Sequence, residues 1–188
     1  SDVCSSDLVD APIVVRFIAP SAGSSLLARV AVELGDGARA TVVEELDGRP
    51  EGAGAAASLL ATTSEVELGV GARLDLSSIQ DLPEDRVYFP VRRHRLATDA
   101  ILHLAAAHVG ARLVRGRIDH ELIGDGAVVR QVEVVFGAGE QLHDLTTYSL
   151  HAGRNTVGDL LAKGVFAGRA RGFVKGVTTI PRKIGRAH

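Results

Sequence analysis

Short aliphatic stretches separated by glycine turns at a near-constant interval constrain this chain more than any other feature. The turns read Leu34-Gly-Asp-Gly-Ala38, Leu68-Gly-Val-Gly-Ala72, His108-Val-Gly-Ala111, Ile123-Gly-Asp-Gly-Ala127 and Phe136-Gly-Ala-Gly139, with Ala152-Gly153 and Ala167-Gly168 as degenerate versions. Each pairs a small residue with a glycine free to adopt a left-handed conformation. The stretches between them, such as Ile13 to Val15, Ala28 to Leu34, Thr41 to Val43 and Val128 to Phe136, have the length and alternation of strands. From Gly110 the turns recur at Gly126, Gly139, Gly153 and Gly168, intervals of 16, 13, 14 and 15 residues by subtraction. Gly37 to Gly71 spans about two such units. Repetition on this scale predicts an all-β solenoid, each unit burying its aliphatic face by stacking on its neighbours. A flat antiparallel meander is the competing arrangement. With no Trp and only 4% aromatic residues, the core is expected to be thin and filled by Val, Leu, Ile and Ala.

Two stretches interrupt the rhythm. Asp47 to Ala57 is rich in turn residues, and Asp81 to Arg95 holds two prolines and ends in the basic run Arg92-Arg93-His94-Arg95. That run reads as a solvated edge. Asp99 to Ala107 is the one segment whose periodicity would also suit a helix, but its neighbours argue for strand. Neither interruption has the composition of a linker, so residues 9–183 are read as a single domain.

The termini are read apart from the fold. Ile184-Gly185-Arg186-Ala187-His188 can be encoded by ATC GGA AGA GCA CAC, whose reverse complement encodes Val3-Cys4-Ser5-Ser6-Asp7. One DNA stretch read on opposite strands accounts for both ends, as a sequencing adapter would. Residues 1–8 and 184–188 are therefore expected to be non-native. The only cysteine, Cys4, falls in such a tail, which leaves the remaining chain without disulfides or thiolate metal ligands.

A formal charge of −2 gives no basic field for nucleic acid, and no apolar run approaches the roughly 20 residues that span a bilayer. The candidate chemical groups are His94, His103, His108, His120, His143, His151 and Lys163. No HExxH pair occurs, and each histidine is read as making an ordinary hydrogen bond at a sheet surface or a contact between subunits, in preference to His120, His143 and His151 sharing a face of the solenoid. Asp119-His120 and His143-Asp144 place a carboxylate beside an imidazole, but neighbours on a strand point to opposite faces, which argues against a dyad in either. Phosphate-binding GxxxxGK[ST] and nucleophile-elbow GxSxG motifs are absent. The six-residue repeat of hexapeptide acyltransferases does not recur either. No catalytic or metal-ligating residue is assigned, the cofactor-binding set is unknown, and no enzyme activity is expected. The rival class is a β-solenoid carbohydrate-active enzyme such as a polysaccharide lyase, which would need acids clustered with Lys or Arg and has rungs of about 20 or more residues.

One string carries a family resemblance. Gln141-x-His143-Asp144, Thr147, His151, Thr156 and Asp159-Leu-Leu-x-Lys163-Gly164, followed by Gly168 and Gly176, resemble the core of the SufB/SufD iron–sulfur cluster assembly scaffold proteins. Arg117-Ile-Asp-His-x-Leu-x-Gly-x-Gly126 and Phe136-Gly-x-Gly139-x-Gln141 are similar to rungs of the same family, and Thr41-Val-Val-Glu-Glu45 stands where its core begins. Two departures are Gly158, where Ser is commoner in relatives, and Ala162, where an aromatic is. The lack of Trp and of core Cys resembles the D-type subunit more than the B-type. The resemblance implies a right-handed parallel β-helix, truncated here at both ends, in a cytoplasmic scaffold without chemistry of its own. It further implies pairing with a homologous subunit and binding to an ABC-type ATPase through a C-terminal region not contained here. A nascent iron–sulfur cluster would be handled transiently at the subunit interface, and none would be bound by this segment.

Overall fold

The computed structural model describes residues 11–50 and 56–181. Both proposed tails and part of the Asp47–Ala57 segment lie outside those residues. Twelve strands follow one another: β1 (Ile13–Ile18), β2 (Ser25–Leu34), β3 (Arg39–Asp47), β4 (Ser58–Leu68), β5 (Arg73–Gln80) and β6 (Arg86–Leu96). They continue as β7 (Ile101–His108), β8 (Leu113–Leu122), β9 (Val128–Gly137), β10 (Leu142–His151), β11 (Val157–Phe166) and β12 (Arg171–Thr179). Odd-numbered strands form one six-stranded sheet in the order β1-β3-β5-β7-β9-β11, and even-numbered strands form the other. Every ladder is parallel, as in the pairing of Val128 with Val157 and of Leu113 with Leu142. The chain is an all-β parallel solenoid of about six coils, and the meander is excluded.

The repeat differs from its sequence reading in one respect. Stacked partners on adjacent coils lie 26 to 34 residues apart, as with His94 and His120, Arg16 and Glu45, or Asp36 and Val70. The 13-to-16-residue unit is therefore half a coil, because a similar corner follows each of its two strands. Coils this long also remove rung length as an argument against a lyase.

Left-handed glycines sit at Gly37, Gly71, Gly126, Gly139 and Gly168, where the pattern predicts them. At two corners the left-handed residue is instead Ala111 or Asn155. There the preceding glycines serve close approach. A Cβ on Gly110 would stand 2.0 Å from the Leu82 carbonyl oxygen, and one on Gly153 2.1 Å from that of Gly124.

The Asp81–Arg95 segment also departs from expectation, since β6 runs straight through it. Alternation along this strand buries Arg92 and His94 beside Tyr88 and Leu96, while Arg93 and Arg95 face out. The basic run is thus half interior, not a solvated edge. Asp99 to Ala107 becomes a corner and most of β7.

Inward side chains form two apolar clusters. One contains Val42, Leu74, Leu102 and Val129 of the first sheet with Val66, Leu96 and Leu122 of the second. The other contains Phe17, Leu46 and Val135 with Leu60, Tyr88, Val114 and Leu145. Between them lies a layer of buried polar side chains, among them Glu44, Ser78, Gln131 and Glu133 of the first sheet and Thr62, Arg92, His94, His120 and Thr147 of the second.

Candidate functional site

This interior layer gathers most of the chain's unusual chemistry. Arg92 Nη2 donates to Glu44 Oε2 at 2.5 Å and to Ser78 Oγ at 2.8 Å, all three groups buried. Burial works against the Arg92 charge, but Glu44, Tyr88 and Glu133 together outweigh it and its pKa is raised. Tyr88 and Thr62 exchange a hydroxyl hydrogen bond of 3.1 Å beside this pair. The Tyr88 phenol is pushed up mainly by burial.

A second line runs through imidazoles. His94 Nδ1 and His120 Nδ1 are 3.0 Å apart on consecutive coils, and His120 Nε2 is 2.7 Å from Gln131 Oε1. Because an amide oxygen only accepts, His120 donates from Nε2, and its neutral Nδ1 must accept from His94. Gln131 Nε2 then donates to Thr147 Oγ1 at 3.0 Å and to Glu133 Oε2 at 3.4 Å. His108 Nε2 meets the other Glu133 oxygen at 3.3 Å. The line ends on the buried Glu133 carboxylate, with a branch to Thr147. Burial, then the neighbouring His120 and Arg92 charges, hold His94 well below the ordinary imidazole range. Burial also lowers His120, against the pull of Gln131, Asp119 and Glu133. A second proton on His120 would set its Nδ1–H against that of His94, so His120 stands neutral in the line.

His143 stands apart. It is fully buried, neither ring nitrogen has a partner, and burial followed by His108 lowers its pKa to about 4. Its ring lies 6.5 Å from that of Phe166, which rests in a cradle of glycines. A Cβ on Gly137, Gly164 or Gly172 would come within 2.6, 2.7 or 2.0 Å of the Phe166 ring.

The remaining candidates disperse. His120, His143 and His151 do share the inner face of the second sheet, yet they form no common site. His120 stacks on His94, while His151 Nδ1 bonds Thr156 Oγ1 at 2.7 Å near the strand end. Asp119 turns outward to Arg117, and Asp144 turns outward toward Arg115, so neither adjacent acid–imidazole pair is a dyad. His103 lies on the outer face of the first sheet, 2.9 Å from Asp75. Lys163 is exposed on β11. The Glu44–Arg92 pair was missed in the sequence reading because 48 residues separate its partners.

The outer face of the second sheet bears on the rival reading. Glu33, Glu67, Arg95 and Glu121 occupy one register row, and Ala31, Glu65, Arg93 and Asp119 the next. Two carboxylates, Glu33 and Glu67, do stand over one another, part of what a lyase would require. Arg95 and Arg93 stand in the same rows, so acids and arginines do cluster there, although Glu65 is ion-paired with Arg29. Among the described residues no three His, Cys, Asp or Glu side chains are placed to hold a metal ion. None of those residues forms a helix long and apolar enough to cross a membrane.

A family model described as "SUF system FeS cluster assembly, SufBD core domain" matches residues 17–185. The chain belongs to this family. The match spans nearly all of the two-sheet solenoid and supports a role in SUF iron–sulfur cluster assembly. No curated protein matches the chain.

Proposed function

We propose that this chain is the core of a D-type scaffold subunit that acts in SUF iron–sulfur cluster assembly without catalysing a reaction itself. It pairs with a homologous SufB/SufD-type subunit, and the pair is driven by an ABC-type ATPase in the cytoplasm. The cluster is cargo, handled between subunits and not resident in this solenoid. The observation that carries the reading is the SufBD core match along nearly the whole solenoid. Three features support it. The only cysteine lies outside the described coils, which favours the D-type over a thiol-bearing partner. The interior imidazoles of His94, His108 and His120 are taken up in bonds that hold coils together. The coil of β11 and β12 exposes apolar side chains on both outer faces, Val157, Leu161 and Val165 on the first sheet and Phe173 and Val177 on the second, which another subunit would cover.

Co-expression of a tagged form with the homologous subunit of the same source tests the pairing. Stoichiometric co-purification is expected. A tagged chain that elutes alone while the other subunit is soluble would overturn it.

A further inference from the structure

The sequence holds three Asp-Gly dipeptides, Asp36-Gly37, Asp47-Gly48 and Asp125-Gly126. In such a pair the glycine amide nitrogen is able to attack the carboxyl carbon of the preceding side chain, because no Cβ on the glycine shields it. The fold decides which of the three is placed to react.

Two of them are locked into corners between coils. Asp36 Oδ1 accepts from Val70 N at 2.7 Å, while Gly37 N donates to the Val70 carbonyl at 2.8 Å. Asp125 Oδ1 likewise accepts from Arg154 N at 2.7 Å, while Gly126 N donates to the Arg154 carbonyl at 2.8 Å. In both, carboxylate and amide are turned to the next coil and not to each other. Attack there would first break two bonds between coils.

Asp47-Gly48 is arranged the other way. Asp47 is the last residue of β3 and is exposed. Gly48 N donates to the carboxylate of its own neighbour, 2.6 Å from Asp47 Oδ1. Cγ is bonded to that oxygen, so nitrogen and carbon stand at roughly the 3–3.5 Å of a near-attack arrangement. Gly48 is also hemmed in, since a Cβ there would lie 2.7 Å from Ala19 Cβ and 3.2 Å from Pro83 Cδ. That packing holds its backbone against the carboxylate.

We infer that Asp47-Gly48 is a site of spontaneous isoaspartate formation, whose product is a substrate for protein-isoaspartate methylation. Gly48 N bonds to Cγ of the protonated Asp47 carboxyl, the Cγ–OH bond breaks, and the hydroxyl leaves with the amide proton as water. The five-membered succinimide so formed is then opened by one water. Opening at Cγ restores aspartate. Opening at the main-chain carbonyl leaves Gly48 N attached to Cγ, with the chain running through the Asp47 side chain and the α-carboxylate free. No oxidant or reductant takes part, and the chemistry needs no partner subunit.

The product falls where the backbone has little slack. It turns the Asp47 carbonyl, which accepts from Ala19 N at 2.7 Å, into a carboxylate. It also lengthens the main chain just before Arg49, whose carbonyl accepts from the buried Arg86 Nη2 at 3.0 Å. Conversion is expected to loosen the exit of β3 from the coils on either side.

Each dipeptide falls in its own tryptic peptide, 30–39, 40–73 and 118–130, since trypsin does not cut before Pro50. The folded chain is aged for several weeks at physiological temperature, digested, and labelled by a protein-isoaspartate methyltransferase with radioactive S-adenosylmethionine. Label several-fold higher in 40–73 than in the other two is expected. The preference should vanish when the chain is aged unfolded in guanidinium. Equal label in the three peptides of the folded chain would overturn the assignment, as would the same preference in the unfolded one. Asp47→Glu, whose longer side chain closes a ring far more slowly, is expected to lose the label in 40–73. Label that persists there would contradict the site.

Discussion

His94 and His120 meet Nδ1 to Nδ1 at 3.0 Å in the middle of the solenoid, on coils 26 residues apart in sequence. The contact requires one ring to donate and the other to accept, so it exists only while the accepting ring, His120, is neutral. Together with the depressed His143, it makes the fold sensitive to acid.

The sign follows from where the protons go. An unfolded chain takes up a proton on each of these imidazoles near pH 6.5, whereas folded His143 does so only near 4. Stability is therefore complete above about pH 6.5 and is lost as pH falls toward 4, His143 alone contributing about 3 kcal/mol across that window. His94 and His120, lowered in the same direction, steepen the loss. Denaturant unfolding measured from pH 7.5 to pH 4.5 checks this. A flat profile, or greater stability at the acid end, would contradict it.

Arg92→Met leaves Glu44 as an uncompensated buried carboxylate. A loss of about 3–5 kcal/mol is expected, with most of it recovered when Glu44 is also replaced by Leu. A double-mutant cycle on unfolding free energies measures both. Simple additivity of the two single losses would remove the claim that these side chains act as a pair.

Glycine substitutions should divide by what the new Cβ meets. Gly110→Ala drives a methyl group into the Leu82 carbonyl and should cost about 1–3 kcal/mol or more. Gly35→Ala meets nothing within 4 Å and should change stability by under about 0.5 kcal/mol. Thermal melts of the two variants side by side settle the contrast, and equal shifts would count against the close-packed corner.

The corners were the legible part of this fold. Gly37, Gly71, Gly126, Gly139 and Gly168 could be placed from sequence because each takes a conformation that other residues avoid. Coil length was hidden by the same regularity, since both corners of a coil look alike. The interior layer was hidden more deeply. Arg92 and His94 read as surface because charged and polar residues usually are. The available signal was alternation: with Arg93 and Arg95 facing out between Tyr88 and Leu96, Arg92 and His94 have to face in. Their partners on other coils could not be inferred without the register.

The mixed-charge rows on the second sheet are where a lyase would have to place its site. Glu33→Gln together with Glu67→Gln should leave stability within about 0.5 kcal/mol, as expected of exposed groups, and should leave subunit pairing unchanged. Incubating the unmodified chain with acidic polysaccharides and following the absorbance of unsaturated ends should give no product. Product formation that these two substitutions abolish would establish the rival.

The central claim is that the chain serves cluster assembly through its partners. Its most direct test is the iron and acid-labile sulfide content of the homologous subunit and ATPase, purified together from cells with and without the full-length protein. The account predicts a cluster-bearing assembly in its presence and a several-fold loss of iron and sulfide in its absence. Equal cluster content in the two preparations would contradict it.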